Sequence, residues 1–65
     1  VNILLNGEPC ELDAPATLAE AIALLAPQPP FAAAVNREFV PRSAYAQRRL
    51  SDGDDVEVIR PVTGG

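Results

Sequence analysis

One helix is written into this 65-residue sequence, and both of its ends are marked. Thr17-Leu18-Ala19-Glu20 has the pattern of a capping box, in which the threonine hydroxyl accepts from the Glu20 amide while the glutamate side chain reaches back. Leu18, Ile22 and Leu25 follow at i, i+4 and i+7 and form one apolar stripe; Ala19, Ala21, Ala23 and Ala26 add propensity and allow close approach to a sheet. Pro27, Pro29 and Pro30 end the helix, because proline lacks an amide hydrogen and restricts the residue before it. Burying each large stripe residue is worth about 1.5–3 kcal/mol, so this face is predicted to dock on the remainder of the chain rather than face water.

That remainder reads as strands. Residues 1–5 are β-prone, Asn6-Gly7 supplies two residues comfortable at positive φ, and residues 8–12 run back alongside, a two-residue hairpin. Period-two alternation puts Ile3 and Leu5 on one face with Cys10 and Leu12, and leaves Leu4 on the other, exposed. Residues 31–35 form a short strand with Ala32 and Ala34 on one face and Phe31, Ala33 and Val35 on the other. Asn36-Arg37-Glu38 turns into Phe39-Val40, and Pro41 closes that strand. Ser43 is placed to cap a helical turn over 44–47, Ser51-Asp52-Gly53-Asp54-Asp55 is a turn, and 56–60 is a last strand with Val56 and Val58 opposite Glu57 and Ile59. The order is β-β-α-β-β-β, an α+β chain whose mixed sheet of four to five strands packs on one helix.

Composition narrows the function. A chain of this size buries only about 60% of its unfolded surface, enough for one modest core and too little for a deep catalytic cleft. Five arginines, no lysine and nine acidic residues give a net charge of -4, which argues against nucleic acid as a partner. No apolar run reaches the roughly 20 residues of a membrane span and no signal-peptide pattern opens the sequence, so a cytoplasmic location is expected, without membrane association. With one cysteine and no histidine there is neither an internal disulfide nor a structural zinc site, and the usual nucleophile–histidine pairs are missing. Asp52, Asp54 and Asp55 read as a solvated turn more readily than as a metal site, since they lack the spaced ligands of a calcium loop; no metal is expected. Arg48 and Arg49 suit a hydrated face or a partner contact, and Cys10 suits a buried structural thiol.

The sequence finishes Val62-Thr63-Gly64-Gly65. A glycine pair at this position is either a frayed end or a thin arm that delivers its α-carboxylate into a narrow site on another protein, unobstructed by Cβ atoms. In the second case the protein is a substrate or carrier and not an enzyme, because a carboxylate becomes an acyl donor only after an external enzyme activates it.

Three runs together are familiar: Ala34-Val35-Asn36-Arg37-Glu38-Phe39-Val40-Pro41-Arg42, then Leu50-Ser51-Asp52-Gly53-Asp54-Asp55-Val56-Glu57-Val58-Ile59-Arg60, then Gly64-Gly65. In order and spacing they closely resemble the ThiS-like sulfur-carrier proteins of bacterial thiamine biosynthesis. The resemblance implies a ubiquitin-like β-grasp domain over 1–61 and a flexible tail over 62–65. It also implies that a ThiF-type adenylyltransferase uses MgATP to adenylate Gly65, with no cofactor bound by the carrier itself. A persulfide derived from cysteine through a desulfurase then displaces AMP, and a ThiG-type thiazole synthase takes sulfur from the resulting thiocarboxylate to build the thiazole ring of thiamine. On this reading Gly65 carries the sulfur, Gly64 gives the tail access, and the free carrier is a monomer. Arg60-Pro61-Val62 resembles the small subunit of molybdopterin synthase, so a sulfur carrier for molybdopterin or another sulfur-containing metabolite is one alternative, and a non-covalent ubiquitin-like interaction module is another. Leu4 and Ile59, on the sheet face away from the helix, are expected to form a partner-binding patch with Pro61 and Val62, extended by Ala32 and Ala34.

Overall fold

The computed structural model describes residues 1–60. Five strands form one sheet in the order β2-β1-β5-β3-β4: β1 (Asn2–Leu5), β2 (Glu8–Glu11), β3 (Ala32–Val35), β4 (Glu38–Val40) and β5 (Asp55–Ile59). β1 and β5 run parallel and the other neighbours antiparallel, so the sheet is mixed and β5 is its central strand. The one α-helix, α1 (Leu18–Leu25), lies on the inner face against β5.

Both hairpins turn through two residues with positive φ, Asn6 (52°) with Gly7 (82°) and Asn36 (51°) with Arg37 (68°). That is the backbone sign a I′ turn requires, and it matches the twist of the flanking strands. Glu38 is already in the second strand, opposite Val35, so the second turn is one residue shorter than its sequence suggested.

Alternation places Ile3, Leu5, Ala33, Val35, Val40 and Val56 inward, where they meet Leu18, Ala21 and Ile22 of α1. Cys10, paired with Ile3, and Leu12 pack against the same core while half-buried. The Thr17 hydroxyl accepts the Glu20 amide at 3.4 Å, but the return bond from the Glu20 side chain is not made, and Glu20 is exposed. A strap from the far side of the sequence seats this end of the helix instead: the Leu18 amide donates to the Arg48 carbonyl and the Leu50 amide to the Ala16 carbonyl.

Leu25 departs from its predicted place. It keeps the angle of the Leu18–Ile22 stripe but is 39% exposed, because it lies one turn further along, over an open groove shared with Asn6, Val58 and Arg60; Ala21 fills the stripe instead. The helix stops at Ala26, whose left-handed backbone (φ 46°) lets its amide donate to the Ile22 carbonyl. Ser43 does not act as a cap. It lies inside a short 3-10 turn, Arg42–Ala44, that follows Pro41 and has no side-chain cap, and Phe31 stacks on Tyr45 beyond it with ring centres 6.1 Å apart.

Candidate functional site

β5 is the central strand of the sheet, and the sequence continues after it through residues 61–65 to Gly64-Gly65. Pro61, Val62, Gly64 and Gly65 lie outside the described residues; what surrounds the point of departure does not.

β5 is fastened on both sides by asparagine side chains from the two hairpin turns. At its start, the Asn36 Oδ1 accepts the Asp55 amide at 2.9 Å and the Asn36 Nδ2 donates to Asp54 Oδ1 at 3.0 Å. Near its end, the Asn6 Oδ1 accepts the Val58 amide at 2.8 Å. The turn before β5 is tied down as well: Asp52 Oδ1 accepts the Asn2 amide at 2.7 Å, Asp54 Oδ2 accepts the Ser51 amide at 2.8 Å, and the Gly53 amide donates to the Asn2 carbonyl. Asp52 and Asp54 therefore spend carboxylate oxygens on backbone amides. Among the described residues, no group of three or more His, Cys, Asp or Glu is arranged to hold a metal ion.

The sheet face away from α1 carries those predicted contact residues that are described, Leu4, Ile59, Ala32 and Ala34. Leu4 is 41% exposed and Ile59 56% exposed on that face, and Ala32 and Ala34 are half-buried there. Register separates the two larger ones. Leu4 stands level with Asp55, four residues before Ile59 along β5, or about 13 Å at the rise of a strand, and Asp55 and Glu57 occupy the outward positions between. Ile59 is instead beside Ala32, and Glu57, Ala34 and Phe39 form the next row.

Phe39 is the residue that sequence reasoning missed. At 69% exposed it is the most open large apolar side chain among the described residues, on the same face as Ile59 and directly across from Ala34. The two alanines of β3 stand between Phe39 on β4 and Ile59 on β5, and a shallow depression on this face is lined by Ala34, Ile59, Arg37 and Glu57. An apolar floor with charges at its margin is the composition of a protein-docking surface. Arg48 and Arg49 stand elsewhere, in the strap beside the helix start, where the Arg48 Nη1 donates to the Arg49 carbonyl at 2.7 Å.

A five-stranded mixed sheet gripping one helix, with the sequence running on from the central strand, defines a ubiquitin-like β-grasp protein. Residues 3–65 match the model of the ThiS family, and the chain belongs to that family. Two solved structures are similar over the whole chain. The crystal structure of the thiamine biosynthesis protein ThiS from Geobacter metallireducens has a TM-score of 0.79 at 26% identity, with 100% of each chain covered. A solution NMR structure of a thiamine biosynthesis protein from the same organism has a TM-score of 0.76 at 26% identity, covering 100% of this chain and 88% of the other. No curated protein matches the sequence.

Proposed function

We propose that this chain is a sulfur carrier that delivers sulfur to the thiazole ring of thiamine, with Gly65 as the carrying residue. The observation that carries the reading is the Gly64-Gly65 end, continuing from the central strand of a β-grasp domain in a chain of the ThiS family. The chemistry follows from the carboxylate. A ThiF-type adenylyltransferase joins the Gly65 carboxylate to the α-phosphate of MgATP, releasing pyrophosphate. The terminal sulfur of a desulfurase-derived persulfide attacks the acyl carbon and expels AMP, and a thiol then reduces the acyl disulfide to the thiocarboxylate. The carrier's part in this chemistry is the Gly65 carboxylate.

The domain's part is recognition. Phe39, Ile59, Ala32 and Ala34 are the surface that the adenylyltransferase and then a ThiG-type thiazole synthase cover, and Pro61 and Val62, next in the sequence, are further contacts on this reading. Leu4 is a separate contact at the other end of the face. Asp55 and Glu57 on this face favour partners with basic margins and speed encounter. The thiamine name of both solved relatives supports thiazole, over molybdopterin, as the acceptor.

The test is pyrophosphate–ATP exchange by a ThiF-type adenylyltransferase. Exchange is expected to depend on this chain and to vanish when Gly65 is deleted; exchange that survives the deletion contradicts the assignment.

A further inference from the structure

We propose that Asn6 is a positioning residue for the carrier arm: its side-chain carbonyl holds the last part of β5, from which the arm departs, and so governs how productively Gly65 is presented. This rests on the sulfur-carrier reading above.

The geometry is specific. Along the parallel β1–β5 ladder the Leu4 amide donates to the Asp54 carbonyl and the Asn6 amide to the Val56 carbonyl, both at 2.9 Å. The next rung of a parallel ladder would join the Val58 amide to the backbone carbonyl of Asn6. At Asn6, however, the chain has swung to φ 52° to enter the hairpin turn. The Asn6 Oδ1 takes the place of that carbonyl and accepts the Val58 amide at 2.8 Å, extending the ladder one rung past the point where β1 ends. The helix offers no substitute there, because Leu25 and Val58 border an open groove with Asn6 and Arg60. On the other side of β5, pairing with β3 reaches Ile59 through Ala32. The Asn6 side chain therefore makes the base of the arm a two-sided strand where the backbone alone would leave it one-sided.

The residue type follows from two demands at one position. Left-handed backbone favours Gly, Asn and Asp, although Arg37 and Ala26 adopt it elsewhere in the chain, and the acceptor at the γ position narrows the favoured set to Asn and Asp. Orientation of a reacting group enters the rate through the share of encounters that are productive, so loosening the base of the arm lowers kcat, while the pairing of Ile59 with Ala32 on the other side of β5 keeps the docking face, and hence KM, nearly unchanged.

The experiment compares wild type, Asn6→Gly and Asn6→Asp, with amide hydrogen exchange and with adenylation kinetics in which the carrier is the varied substrate. Asn6→Gly keeps the turn and removes the acceptor. Protection of the Val58 amide is expected to fall about 3- to 10-fold, the worth of one hydrogen bond, with kcat falling by a similar factor and KM staying within about 2-fold. Asn6→Asp keeps the acceptor and is expected to restore both. Normal kcat in Asn6→Gly, equal impairment in both variants, or a loss of protection reaching Val35 in the core each overturn the positioning role. Wild type that is not adenylated at all overturns the carrier reading, and this proposal with it.

Discussion

Truncating Phe39 to alanine separates docking from folding. Its side chain is 69% exposed, and aromatic side chains bury about 150–250 Å² when covered, so roughly 100–170 Å² is open to a partner. At about 25 cal/mol per Å², covering that surface contributes about 3–4 kcal/mol, of which the part beyond Cβ is about 2–3 kcal/mol. Lost on truncation, this weakens the complex with the adenylyltransferase by roughly 30- to 150-fold. Stability responds differently. Phe39 already faces solvent in the free domain and touches the sheet mainly through its pairing with Ala34, so Phe39→Ala is expected to change the unfolding free energy by about 1 kcal/mol or less. Calorimetric titration of the adenylyltransferase gives the first quantity and urea unfolding the second. Ile59→Asp, 56% exposed on the same face, is the companion variant, placing a charge beside Ala32. A dissociation constant that moves less than about 3-fold in both variants, with both folded, refutes the docking surface.

Two stability predictions follow from backbone positions. Ala26 ends α1 at φ 46°, a conformation that costs a residue with a Cβ about 1–2 kcal/mol and glycine little, so Ala26→Gly is expected to raise the urea midpoint, by about 1 kcal/mol in unfolding free energy. A lowered midpoint contradicts the cap geometry. At Asn36, glycine keeps the positive φ but loses the bonds to Asp54 and the Asp55 amide, a cost of about 1–2 kcal/mol, whereas alanine also adds backbone strain of about 1 kcal/mol. Equal midpoints for the two variants would mean that the turn does not require φ above zero.

The elements that were legible in the sequence are those whose signal is local. Asn6-Gly7 between apolar runs announces the first hairpin, Thr17 and the prolines bracket the helix, and the Val56–Val58 alternation orients β5. What was not legible depends on register between distant segments. Leu4 and Ile59 have the correct face, but only the parallel pairing of Leu4 with Asp55 reveals how far apart they stand. Phe39 and Val40 are both apolar in a strand of three residues, so either one is a candidate for the core; the pairing of Val40 with Ala33 decides it. Leu25 has the correct helical angle but overlies an open groove beside Val58, which periodicity does not report. Asn6 and Asn36 read as turn formers, and their second role, fastening β5 from both flanks, exists only once the topology brings those turns beside it.

Intact-protein mass after incubation with a ThiF-type adenylyltransferase, MgATP and a persulfide donor tests the central claim most directly. The carrier account predicts a mass gain equal to one oxygen exchanged for sulfur, located at Gly65 and absent when Gly65 is deleted. An unchanged mass, under conditions that convert an established carrier, contradicts it.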